Sequence, residues 1–136
     1  MFILQFIPLF SFILAGYVGL HLIGFFPKYL NIIIFHLQLP SGSIWKPTYG
    51  DLMIMMGILV LFVELFKSTR TSTTSIIDHI LSTFVLVAFL VMWLIYPWAG
   101  NSYFMIIAMM SFLDVIAGFT ITISSARRDI GLGGGG

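Results

Sequence analysis

Long apolar stretches separated by short polar segments run through most of the chain. Four of these stretches approach the roughly 20 residues that an α-helix needs to cross a bilayer. The sequence therefore predicts a single domain over residues 1–130 that contains four membrane-spanning helices. Their predicted bounds are Phe2–Phe26, Asp51–Phe66, Ile76–Tyr96 and Ser102–Ser124.

Polar residues at the starts of the predicted helices supply capping signals. Thr48 precedes Asp51 by three positions, and Ser75 precedes Asp78 by the same interval. This Ser/Thr-x-x-acid spacing is typical of side chains that satisfy the free backbone N–H groups of a helix start. Asn101 can cap the last helix in the same way. The turn YPWAGN before it makes the last two helices an antiparallel pair.

The segment PKYLNIIIFHLQLP lies between two prolines after the first predicted span and is too short to cross a membrane. On a helical wheel, Lys28, Asn31 and Gln38 fall on one side, with apolar residues around most of the rest. This pattern predicts an amphipathic helix in the membrane interface. A loop folded onto the bundle is the alternative. The last residues, 131–136, are predicted to form a flexible Gly-rich tail.

Composition agrees with a membrane location. The chain of 136 residues is 60% hydrophobic and 8% charged, with a mean hydropathy of +1.10. Soluble domains contain about 25% charged residues, so the expected solvent is the bilayer. A net charge of +1 gives no basic patch for nucleic acid. The absence of cysteine excludes disulfides and thiolate metal sites.

Lysine and arginine are unevenly distributed between the two ends of the predicted bundle. Four lie on the side of the termini and two on the opposite side: Lys67, Arg70, Arg127 and Arg128 against Lys28 and Lys46. The excess predicts that both termini are cytoplasmic, because cytoplasmic loops are enriched in positive charge. Arg127 and Arg128 are expected to anchor the last helix at that inner surface.

Asp114 is an acidic residue within the last predicted span. Counted from Arg127 at helical rise, it lies about 20 Å deep, near the midplane of a ~30 Å hydrocarbon core. A charged carboxylate facing lipid there would cost roughly 2.5–3.5 kcal/mol, so the side chain is expected to face the bundle. Ser111, Gly118 and Thr122 share its helix face. Such a small, polar face lets helices approach closely and hydrogen-bond.

Two roles for Asp114 are open at the level of sequence. It can join two helices through a hydrogen bond to Ser82, Thr83 or a backbone carbonyl, or it can hold a proton or a cation. The first role is preferred because no second acidic residue is expected at the same depth. The first span offers a matching face of small residues at every fourth position: Ser11, Ala15 and Gly19.

Glu64 and Lys67 are three residues apart, so their side chains can pair on one helix face. Both are expected within about 5 Å of the inner boundary, where an ion pair can reach the aqueous interface. Asp78 and His79 begin the next span on the same side. The four residues could therefore form a polar cluster at the inner end of the bundle.

Histidines and methionines raise the possibility of haem or copper binding, but their spacing does not support it. Only His21 and His36 could share a level, and His36 lies outside the predicted spans. There is no histidine pair of metal-binding spacing. The methionines lack a repeated ligand spacing and are expected to fill gaps in the packing. The sequence predicts no metal, no cofactor and no catalytic residue.

Together these patterns predict an all-α integral membrane protein, a bundle of four transmembrane helices with an interfacial segment after the first. The expected function is that of a non-enzymatic accessory subunit that packs against other membrane protein subunits. The alternatives are a small oligomeric proton-coupled transporter or channel that uses Asp114, and a haem- or quinone-binding membrane anchor. The first span lacks the acidic residue expected of small multidrug transporters, which argues against that family.

Overall fold

The computed structural model describes residues 6–69 and 73–134. Side chains at 73–75, 122, 125–126 and 128–134 lie outside this description. The described chain consists of helices and one short hairpin. In order, these are α1 (Phe10–Leu22), β1 (Leu37–Gln38), β2 (Ile44–Trp45), α2 (Tyr49–Lys67), α3 (Thr73–Ile95), a 3₁₀ turn (Pro97–Ala99) and α4 (Ser102–Gly134).

Three of the four helices are long and apolar enough to cross a membrane: Tyr49–Lys67, Ile76–Ile95 and Ser102–Ile121. These correspond to the second, third and fourth predicted spans and are consistent with a membrane protein. α1 has only 13 residues, which is about 20 Å at helical rise. At its far end, α4 continues to Gly134, so its last turn extends into the segment that the sequence predicts as a tail.

The predicted first span is too long at its carboxyl end. α1 ends at Leu22 rather than at Phe26. Gly24 adopts a positive φ of 81°, a conformation that favours glycine. The N–H groups of Phe25 and Phe26 then turn back to the carbonyl of Leu20, which terminates the helix. The helix also begins later than predicted, at Phe10 after Pro8, and residues 2–5 of the predicted span lie outside the described chain.

Two of the three predicted helix caps are confirmed. Thr48 accepts a hydrogen bond from the N–H of Asp51, and the Asp51 carboxyl accepts one from the N–H of Thr48. The Asn101 side chain accepts a hydrogen bond from Phe104 at the start of α4. The prediction for Ser75 is wrong, because α3 already includes Thr73 and Ser75 lies inside the helix.

The predicted interfacial amphipathic helix is also wrong. The segment after α1 forms turns and a two-stranded antiparallel hairpin, with Leu37 opposite Trp45 and Gln38 opposite Ile44. Gly42, at a φ of 91°, lies in the connecting turn. A run of isoleucines over residues 32–34 and prolines at both ends disfavour a helix here. We call the end of the bundle that carries this segment and the Pro97–Ala99 turn the hairpin end.

α4 packs extensively against both α3 and α2, whereas α1 makes fewer contacts with its neighbours. Glycines mark the closest approaches. A Cβ at Gly57 of α2 would lie 2.6 Å from the Ile107 side chain of α4. A Cβ at Gly118 of α4 would lie 2.8 Å from the imidazole of His79 on α3. The predicted close-packing role of Gly118 is therefore confirmed.

The small-residue face predicted on the first span does not pack inside the bundle. Ala15 and Gly19 are exposed, and a Cβ added at Gly19 would meet nothing within 4 Å. The buried side of α1 is instead formed by Phe10 and Tyr17. Large aromatic residues, rather than small ones, therefore hold α1 against the other helices.

Candidate functional site

Lys67, at the end of α2, is the centre of a buried polar cluster. Its ammonium lies 2.9 Å from a Glu64 oxygen and 3.2 Å from an Asp78 oxygen. The side chain of Lys67 is 17% exposed, while those of Glu64 and Asp78 are 0% and 2% exposed. The predicted pairing of Glu64 with Lys67 and its extension to Asp78 are confirmed. The Glu64 carboxyl is fully enclosed by the protein, and its predicted distance from the inner membrane boundary stays a prediction.

The cluster also holds the chain where it enters α1. Lys67 donates a hydrogen bond to the carbonyl of Ile7 at 3.0 Å, and Glu64 accepts one from the N–H of Leu9 at 3.1 Å. Between them lies Pro8, which has no N–H and disrupts helical hydrogen bonding. Backbone groups that lose their helical partners in an apolar environment must find others. Here the acid and the ammonium of one ion pair supply them.

Asp114 of α4 completes the cluster. It is 0% exposed, and the carboxyl groups of Glu64 and Asp78 lie close enough to act on it. Within residues 6–69 and 73–134, neither Asp114 oxygen has a hydrogen-bond donor, and Glu64 Oε2 has none either. Two ionised carboxylates can only accept hydrogen bonds. A direct hydrogen bond between Asp114 and Glu64 would therefore require a proton on one of them.

The predicted hydrogen-bond partners of Asp114 are engaged elsewhere. Ser82 donates to the carbonyl of Asp78 and Thr83 to that of His79, so both bond within α3. The hydrogen bond from Asp114 to Ser82 or Thr83 that the sequence suggested is therefore wrong. What the structure provides across the helix boundary is a second acid, Glu64.

The other residues on the Asp114 face differ in their contacts. Ser111, one turn before Asp114, is buried, and its hydroxyl has no partner among the described side chains and backbone groups. Gly118, one turn after it, contacts His79, which is buried and packs its ring against Phe119 at 5.2 Å. The side chain of Thr122 lies outside the described residues.

The depth of the cluster can be counted from the hairpin end. Glu64 lies about 22 Å along α2 from Tyr49, and Asp114 about 18 Å along α4 from Ser102. The two distances are similar, so the two acids lie at about the same level of the bundle. The expectation that no second acid lies at the depth of Asp114 is therefore wrong. Residues far apart in sequence meet because α2 and α4 run antiparallel to α3.

The remaining predicted residues lie apart from this cluster. Arg127 is exposed on α4, and the Arg128 side chain lies outside the described residues. His36 is exposed after α1. At the hairpin end, the His21 ring stacks on Trp98 at 4.1 Å, and its Nδ1 lies 3.2 Å from the carbonyl of Phe26. The structure therefore does not bring the two histidines proposed for haem to facing positions on helices.

Sequence reasoning missed the backbone groups of Ile7 and Leu9. The available signal was Pro8 inside an apolar stretch, since a proline there frees backbone groups that need polar partners. Within the described ranges, no group of three or more histidine or acidic side chains is arranged to hold a metal ion.

The comparisons with known proteins add no further information. The chain matches no family model, and no curated protein and no solved structure is significantly similar to it. Function is therefore inferred from the geometry of the cluster alone.

Proposed function

We propose that this protein is a small, multi-pass membrane protein that carries a proton on the Glu64–Asp114 pair. Its function would be that of an oligomeric proton-coupled transporter or channel. The observation that carries the proposal is the burial of Asp114 beside Glu64 with no hydrogen-bond donor for either Asp114 oxygen within the described residues. Ionisable residues inside a membrane domain commonly mark ion or proton pathways.

The charge of the cluster supports a proton as the bound species. Two carboxyl groups, those of Glu64 and Asp78, contact the ammonium of Lys67, and a third, that of Asp114, is buried beside them. Three ionised acids would leave an excess of buried negative charge, which is costly in a medium of low dielectric. A proton shared between Glu64 and Asp114 removes part of this excess and supplies the missing donor. Lys67 pairs with Glu64 and Asp78 directly, so Asp114 is the member left without a cation in contact.

The link to α1 supports coupling between the proton and a movement of the protein. Glu64 accepts hydrogen bonds from Lys67 and from the N–H of Leu9 through the same oxygen. A change of charge on Glu64 therefore alters the strength of the bond that holds Leu9, because hydrogen bonds to an ionised acceptor are stronger. α1 packs less extensively than the other helices and is the element best suited to respond.

The proposal includes the topology that the positive residues favour, with both termini on the cytoplasmic side. The cluster would then lie closer to the cytoplasmic face. The lipid bilayer and further copies of the same chain are the proposed partners, and the proposal requires no cofactor.

Proton movement into liposomes tests this function. Purified protein is reconstituted with a pH-sensitive dye inside, and a potassium diffusion potential supplies the driving force. We expect wild type to acidify the lumen and Asp114→Asn to show no flux while reconstituting at the same yield. Asp51→Asn is the matched control, because Asp51 caps α2 at the hairpin end and lies outside the cluster. Flux that is absent from wild type, or unchanged in Asp114→Asn, contradicts the proposal.

An accessory subunit of a larger complex is the second candidate. The observation that favours it is the exposed small face of α1, where Ala15 and Gly19 would let a partner helix approach closely. The two candidate functions can be distinguished by gentle extraction from the native membrane. The mass of the intact particle is then measured. Foreign subunits in a fixed ratio support the accessory role, and a homo-oligomer of this chain contradicts it.

A further inference from the structure

An open apolar groove of about 600 Å³ runs between α1 and α2. Both helices and the segment after α1 contribute to its lining. The lining includes Leu9, Gly16, Phe26, Tyr49 and Val60. Its volume lies within the roughly 300–1,000 Å³ typical of pockets that hold small ligands.

The length of the groove matches one half of a bilayer. Along α2 it extends from Tyr49 to Val60, which is about 16 Å at helical rise. One leaflet of a hydrocarbon core of ~30 Å is about 15 Å thick. A lipid acyl chain that starts at the hairpin end would therefore reach Leu9 and Val60 with its tail. Val60 is one helical turn from Glu64, so the groove ends beside the polar cluster.

Gly16 leaves the groove open at the surface of α1. A Cβ added there would meet nothing within 4 Å, so the space above Gly16 is unfilled by the described protein. A side chain of ordinary size would occupy part of the groove. Gly19 is also exposed with an unobstructed Cβ, but it does not line the groove. The two glycines therefore form a matched pair for an experiment.

The hairpin end of the groove carries a positive charge. Lys28 follows Phe26 by two positions, is exposed, and lies with its ammonium 5.3 Å from the ring of Tyr29. Asp51, an acid in the first turn of α2, is engaged in the helix cap of that helix. An ammonium at this level favours an anionic headgroup, as basic residues at membrane interfaces do.

We propose that the groove between α1 and α2 binds one acyl chain of an anionic phospholipid, with its headgroup beside Lys28 and its tail against Leu9. The site is independent of proton transport and stands on the shape, lining and charge of the groove. Because Leu9 is also held by Glu64, a bound lipid would add contacts to the element that the polar cluster holds.

Native mass spectrometry of the intact protein tests the site. Protein is released from nanodiscs of mixed phosphatidylglycerol and phosphatidylcholine with identical chains, and the lipids retained per chain are counted. We expect wild type and Gly19→Leu to retain phosphatidylglycerol. We expect Gly16→Leu to retain about tenfold less, which corresponds to about 1.4 kcal/mol of binding free energy. Equal retention by Gly16→Leu and Gly19→Leu overturns the proposal.

The headgroup is tested by comparing the two lipids. We expect wild type to prefer phosphatidylglycerol and Lys28→Gln to lose that preference. Equal retention of both lipids by wild type overturns the anionic specificity. If Gly16→Leu instead converts an oligomer to a monomer with lipid retention unchanged, the groove is a contact between copies and the lipid proposal is wrong.

Discussion

The backbone N–H of Leu9 donates a hydrogen bond to the Glu64 carboxyl at 3.1 Å, although the two residues are 55 positions apart in sequence. The bond forms beside Pro8, where a continuous helix cannot supply a partner. It makes the start of α1 part of the same network as Lys67, Asp78 and Asp114. Any change in that network therefore acts on the way the chain enters its first described helix.

Replacing Glu64 separates its role as an acceptor from its charge. Glu64→Gln keeps an oxygen that can accept from Leu9, whereas Glu64→Leu leaves the partly buried N–H of Leu9 without this partner. An unsatisfied buried group costs about 1–3 kcal/mol. We expect Glu64→Leu to unfold more easily than Glu64→Gln by about that amount in urea titrations in mild detergent. Equal stabilities of the two variants would contradict the role of the Leu9 bond.

Removal of the Lys67 ammonium leaves buried acids without their cation. Breaking a buried ion pair by removing one partner typically costs about 3–5 kcal/mol of stability. Lys67 is partly exposed, so the cost at this site is smaller. We expect Lys67→Met to lower the free energy of unfolding by about 2 kcal/mol. Lys28→Met, at an exposed site, is the control and is expected to change it by less than ~0.5 kcal/mol. The proposal fails here if both variants unfold alike.

Gly118 tests the contact between α4 and α3. A methyl group there would lie 2.8 Å from His79 Cε1 and 3.1 Å from its Nδ1, so the imidazole or the helix must shift. Overpacking of this kind costs about 1–3 kcal/mol, and Gly118→Ala is expected to lower the thermal stability accordingly. Gly19→Ala serves as control. Its Cβ meets nothing, and alanine favours the helix by roughly 0.5–1 kcal/mol, so it should be neutral or stabilising.

Tyr17 links α1 to the opposite end of the bundle. Its hydroxyl donates to the carbonyl of Trp98 and accepts from the Asn101 side chain. Tyr17→Phe removes both bonds and leaves partly buried groups without a partner, for a loss of about 1 kcal/mol in the free energy of unfolding. Tyr96→Phe, at an exposed tyrosine nearby, is expected to be close to neutral. Thermal unfolding monitored by tryptophan fluorescence distinguishes the two.

The elements that follow from local patterns could be predicted from sequence. The length of an apolar run and the Thr48–Asp51 spacing are local signals, and α2 begins where they indicate. The start of α4 after Asn101 is a further example. The pairing of Glu64 with Lys67 was predictable for the same reason, because residues three positions apart lie on the same face of a helix.

The candidate site required tertiary information. Counting from Arg127 placed Asp114 near the midplane, and counting from the end of α2 placed Glu64 near the interface. These estimates assumed that all helices end at one boundary. In the structure α4 continues to Gly134, well beyond the level at which α2 ends. A residue far from the end of α4 can therefore lie level with a residue close to the end of α2, as Asp114 and Glu64 do. For the segment after α1, the helical-wheel pattern indicates a helix, whereas the β-branched run between two prolines disfavours one, and the structure follows the second signal.

Infrared difference spectroscopy tests most directly whether the Glu64–Asp114 pair carries a proton. Spectra of the protein in lipid, recorded between low and high pH, report the carbonyl stretch of each protonated carboxyl group. We predict a band in wild type that is lost in Asp114→Asn and retained in Asp51→Asn. Spectra of wild type and Asp114→Asn that are identical in this region would contradict the shared proton and the function proposed from it.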